Sequence, residues 1–129
     1  MEKWTGSAAI CINEKKELLM ILQGKPEEEK RWSVPSGGKN TNESYEQCCV
    51  REVWEETGYK VAVNMKVFVK GEGLVHYFEV NLLSGVPTIQ DPDELIHEIA
   101  WKSASQIAEL DLCFEEDRQL LLDYLMSKV

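Results

Sequence analysis

Apolar and polar residues change their rhythm several times along the chain, and each rhythm predicts an element. SAAICIN and ELLMILQG flank the polar EKK and read as a hairpin of two strands. KPEEEKR is a charged, solvated loop. RWSVPSGG reads as one short strand ending at a turn, where Pro35 fixes a torsion and Gly37 and Gly38 permit conformations closed to other residues. Asn42 is the expected N-cap of a helix from Glu43 to about Thr57, which Gly58 stops. YKVAVNMKVFV and LVHYFEVNLL are two strands joined by KGEG, and SGVPTIQDPDE is a loop. ELIHEIAWK resumes an extended pattern, with Leu95, His97 and Ile99 alternating against Ile96, Glu98 and Ala100. SASQIAEL predicts a short helix capped by Ser103 or Ser105. Leu120, Leu121, Tyr124 and Leu125 fall at helical spacing and predict a last amphipathic helix packed on the sheet. This order is that of an α/β protein: a mixed sheet with helices on both faces.

A chain of 129 residues without repeats or linkers fits one domain, 1–129. No apolar run approaches the roughly 18 to 20 residues that cross a bilayer, and the N-terminus lacks a leader's basic start and apolar stretch. A cytoplasmic protein is expected. Cys11, Cys48, Cys49 and Cys113 form no CxxC pair and are not spaced with His76 and His97 as zinc ligands, so buried free thiols are the simplest reading. The formal charge of −9 argues against nucleic-acid or membrane-surface partners. It also means that a phosphate-bearing ligand would need cations recruited to its site.

That need points to GGKNTNESYEQCCVREVWEETGY, residues 37 to 59. Glu52, Glu55 and Glu56 fall within a helical sector roughly 100° wide, where like charges repel. Cys49, Val50 and Val53 lie to one side and can anchor the helix on the core. Carboxylates gathered this way suit Mg²⁺, with Mn²⁺ as a substitute, and a divalent ion would relieve the repulsion. A merely solvated acidic face is the other reading, but the spacing of Gly37, Glu43, Arg51-Glu52, Glu55-Glu56 and Gly58 arises by chance on the order of 10⁻⁸ per start.

Residues 37 to 59 resemble the signature box of the Nudix, or MutT-like, hydrolases, and RWSVPSGG resembles the strand and turn before it. The resemblance implies an α/β/α sandwich with a central mixed sheet and Mg²⁺-dependent hydrolysis of a nucleoside diphosphate linked to another group. It also implies that Glu55 and Glu56 are metal ligands and that Glu52 is a ligand or the base acting on the attacking water. Glu43 supports the cluster. Arg51 would hold carboxylates through a bidentate fork, and the backbone of Gly37 and Gly38 can approach metal or phosphate. Lys39 could reach a phosphate or be a solvated loop lysine. A further acid from outside the box is expected among Asp91, Asp93, Glu94 and Glu98, with Glu94 and Glu98 favoured. Tyr59 replaces the usual aliphatic residue, KNTN replaces the usual turn, and Ser36 stands where many members carry glycine.

For the ligand, the expectation is a small-molecule nucleotide, first of all a nucleoside triphosphate, intact or damaged, cleaved to monophosphate and pyrophosphate. A dinucleotide polyphosphate or a non-catalytic nucleotide sensor are the alternatives. Tyr77, Phe78, Trp32 and Trp4 are the aromatics available to stack on a base, although an aromatic at 77 also suits a packed strand. Trp101 is expected in the core, and Trp54, on the helix face away from the acids, in the core or at an oligomer contact, the core first. The oligomeric state, monomer or homodimer, stays open.

Overall fold

The computed structural model describes residues 5–90 and 95–128. β1 (Gly6–Cys11) lies parallel to β6 (Val75–Gly85) and antiparallel to β4 (Ser36–Gly38), and β5 (Tyr59–Lys70) completes a four-stranded mixed sheet ordered β4-β1-β6-β5. β2 (Leu18–Gln23) pairs with β3 (Arg31–Ser33) and β7 (Ile96–Lys102) in a three-stranded antiparallel sheet. The expected β1–β2 hairpin is therefore not a continuous ladder. Among the described residues the two segments pair as a ladder only at the isolated Ile12–Leu18 bridge and then diverge into different sheets. RWSVPSGG is likewise two strands, with one in each sheet. Pro35, which has no N–H to donate, sits at the crossing between β3 and β4.

Strand alternation divides the core into two layers. Ala8 and Ile10 of β1, with Leu18 and Met20 of β2 and Tyr77 of β6, face Ile107 of α2 (Ala104–Ile107) and Leu121 and Leu125 of α3 (Asp117–Ser127). Ala9, Cys11, Leu19, Phe78 and Val80 face Cys49 and Val53 of α1 (Tyr45–Thr57). The result is an α/β/α sandwich with α1 on one face. Helix α3 buries Leu121 and Leu125 but leaves Leu120 exposed, which narrows the expected apolar stripe. Ser103 caps α2 in a capping box with Gln106.

Helix α1 starts two residues later than its composition predicts. Ser44, not Asn42, is the N-cap, because Gln47 at N3 reaches back to the Ser44 N–H while the Ser44 hydroxyl accepts from the Gln47 N–H. At the other end Gly58 takes the left-handed conformation, φ 79°, and its N–H closes on the Trp54 carbonyl. A Cβ there would lie 2.6 Å from the Val86 oxygen.

Candidate active site on helix α1

Arg51 organises the acidic face of α1. Its Nε and Nη2 donate to the two oxygens of Glu43 at 3.0 and 2.7 Å, a planar two-point contact closed to lysine. Nη2 also donates to the Gly38 carbonyl at 2.8 Å, which ties α1 to β4. Nη1 donates to Glu52 at 2.8 Å and to Glu55 at 3.3 Å. One nitrogen thus stands between two carboxylates, and the repulsion expected of them is offset internally. The Glu56 carboxylate accepts the Ser36 N–H at 2.9 Å.

Gly37 is shaped by Glu52. A Cβ built on Gly37 would fall 1.5 Å from the Glu52 Oε2, so the carboxylate occupies the room a side chain would take. The Gly37 carbonyl accepts from the Cys48 thiol at 3.5 Å. Burial and the neighbouring charge of Glu55 push Glu52 up to about 7, against the pull of Arg51. Glu43 moves the other way, held at about 2 chiefly by its hydrogen bonds from Arg51. Two glutamates on one arginine therefore differ in proton affinity because one is desolvated and the other is fully paired.

All potential metal donors here are oxygens: the carboxylates of Glu52, Glu55 and Glu56 and the carbonyls of β4. Among the described residues no three His, Cys, Asp or Glu side chains are already gathered into a cage. The place between Glu52 and Glu55 is filled by a cationic nitrogen, which shows that both carboxylates reach one positive centre. The donor chemistry fits a hard divalent ion.

Other expected site residues are placed elsewhere. Tyr77 and Phe78 are only 2% and 3% exposed, so neither offers a ring to a base. Tyr77 stacks on Phe68 and donates to Asp117, itself paired with Lys70, while Phe78 packs in the α1 layer. Both answer the packing demand of β6. Glu98 lies exposed on β7, opposite Leu22, on the face away from Ile99 and Trp101, which pack towards α1. Strand alternation therefore does not bring it to the helix glutamates. Glu94, with Asp91, Asp93 and Trp4, lies outside the described residues. Lys39 is half-buried, donates to the Asn40 carbonyl and stands 5.6 Å over the Tyr45 ring. Trp101 is half-buried and donates to the Tyr59 hydroxyl, whereas Trp54, expected in the core, is 40% exposed.

Sequence reasoning passed over the roles of Ser36 and Cys48, which contact the site through a backbone N–H and a thiol. In the sequence Ser36 stands out only as a departure from glycine. An amide donor carries no residue-type signal.

A family model described as the NUDIX domain matches residues 3–124. The chain belongs to the Nudix family. A putative 8-oxo-dGTP diphosphatase of Bacillus subtilis is 36% identical over 64 residues, half of this chain and 41% of that protein. A putative Nudix hydrolase of Caenorhabditis elegans is 35% identical over 86 residues, 64% of this chain and 24% of its own length. The matched stretch thus spans less than half of either relative. A Nudix hydrolase structure from Nitrosomonas europaea superposes with a TM-score of 0.82 at 22% identity, covering 98% of this chain and 91% of that one. At that identity the likeness concerns the Nudix fold alone.

No helix among the described residues is long and apolar enough to cross a membrane.

Proposed function

We propose that this Nudix protein is a Mg²⁺-dependent pyrophosphohydrolase acting on a nucleoside diphosphate linked to another group, with a nucleoside triphosphate, intact or oxidised, as its substrate. The observation that carries this reading is the placement of Glu52 in the space Gly37 leaves empty, on the same arginine nitrogen as Glu55. Family membership and the name of the Bacillus relative support the reaction class and the triphosphate.

Glu52, Glu55 and Glu56, with the Gly37 carbonyl, would hold Mg²⁺. When bound, the ion supplies charge neutralisation on the phosphate oxygens and lowers the proton affinity of its water. Arg51 keeps the carboxylates oriented, and Glu43 and Gly38 keep Arg51 in place. Glu52 serves either as one of those ligands or as the base that accepts a proton from the attacking water. The water oxygen bonds to the α- or the β-phosphorus as that atom's bond to the oxygen bridging the two breaks, which yields the monophosphate and pyrophosphate. The glycine-lined edge at Gly37 and Gly38 leaves backbone rather than side chains against the phosphates. Any further acid would come from Glu94 or Glu98, and Glu98 would need to approach from a face it does not occupy.

The test is a panel of canonical and oxidised nucleoside triphosphates, dinucleotide polyphosphates, nucleotide sugars and ADP-ribose, incubated with Mg²⁺ or with chelator. The expected result is pyrophosphate release from a triphosphate, abolished by chelator and reduced at least a hundredfold in Glu56→Gln. Absence of turnover across the panel would make the protein a nucleotide-binding sensor instead.

A further inference from the structure

Beside Arg51, which lines it, α1 carries a surface feature that does not include Glu52, Glu55 or Glu56. A shallow groove runs between α1 and β5, in two adjoining parts of about 390 and 410 Å³. Its apolar surface comes from Val50, Trp54, Val63 and Leu83, with the Trp54 ring 40% and Leu83 65% exposed. A large indole left in water on a helix with an otherwise orderly buried face marks a contact surface rather than a packing failure.

Charge is distributed along this groove in a way that selects an occupant. Glu46, in the first turn of α1, lies at one end, and Lys60, just beyond the helix, lies at the other. Both are exposed, and among the described residues neither is drawn into an ion pair. Val50 and Arg51 line both parts and lie between them, with the Arg51 guanidinium engaged by Glu43, Glu52, Glu55 and Gly38, and Trp54 lies in the part beside Lys60. A surface with opposite charges at its two ends and an apolar centre is complementary to itself after a two-fold rotation.

We propose that a second copy of this chain docks in the groove, with the two-fold axis near Val50, Trp54 inside the contact, and Glu46 of each copy facing Lys60 of the other. The contact joins faces and does not extend the sheet. β5 is an edge strand, but its register against β6 shifts at three places, and such irregularity spoils an edge as a template for another strand. The net charge of −9 makes two copies repel at long range, so association depends on concentration and on these local pairs.

Sedimentation equilibrium of the full chain across a hundredfold range of concentration tests the proposal. The expected result is a mass rising from one chain to two, and association at least tenfold weaker in Trp54→Ser. Glu46→Lys and Lys60→Glu each place like charges together and should also leave monomers, while the double variant Glu46→Lys/Lys60→Glu restores opposite charges and should dimerise again. A single-chain mass throughout overturns the proposal. So does a dimer that survives both single reversals, or a double variant that stays monomeric. All three positions of this test lie outside the catalytic cluster, so turnover of the panel above is a separate question.

Discussion

At the scale of single residues, the site works by exclusion as much as by contact. Gly37 is not at positive φ, so alanine there is tolerated by the backbone; what it disturbs is the Glu52 carboxylate, 1.5 Å from the new methyl group. Gly37→Ala should therefore lower kcat by about tenfold to a hundredfold, the scale of a misplacement near 1 Å, with little change in thermal midpoint. Steady-state kinetics beside a melting curve checks both halves, and a large loss of stability with unaltered kcat would contradict the reading. Glu43→Gln breaks a charged two-point contact with Arg51 and should cost about 1–3 kcal/mol in a denaturant titration near neutral pH. Its pKa falls on folding from 4.5 to about 2, so its contribution is complete above about 4.5 and lost as pH drops towards 2. The stability gap between wild type and variant should close across that acid window. Tyr77→Phe should destabilise the fold by about 1–3 kcal/mol, since Asp117 is left with an unmade buried hydrogen bond, and KM should not change. A raised KM would return Tyr77 to the substrate site.

At the scale of elements, α1 is held in place at both ends, which keeps its glutamates in register with β4. Ser44→Ala removes the capping box and should cost about 1 kcal/mol. Gly58→Ala should cost more than that, because it adds a clash with the Val86 oxygen to an unfavourable left-handed residue; paired denaturation curves measure both. The helix was legible in the sequence because spacing and stop signals are local, and the strands were legible because alternation is local. The cap was misplaced, since Asn42 and Ser44 are equally good cap residues and only the reach of Gln47 separates them. The division of β1 and β2 between two sheets was not legible. It depends on β6 pairing with β1 from 69 residues away, as Ala8 meets Tyr77.

At the scale of the whole molecule, the sandwich gives α1 one face for the core, one for Arg51 and the glutamates, and one for solvent. The glutamate cluster could be read from composition and spacing, because like charges so placed need a reason. The burial of Tyr77 and Phe78 could not be, since an aromatic in a strand looks the same whether it faces a ligand or a core. Glu98 shows the same limit, because the face a strand residue takes depends on which layer packs against its neighbours. The central claim is that these carboxylates hold a divalent ion against a pyrophosphate linkage. Calorimetric titration of Mg²⁺ into the protein carrying a non-hydrolysable nucleoside triphosphate analogue tests it most directly. The account predicts saturable uptake of at least one ion per chain in the wild type, weakened at least tenfold in Glu55→Gln and Glu56→Gln; uptake that is absent, or unchanged in both variants, would contradict it.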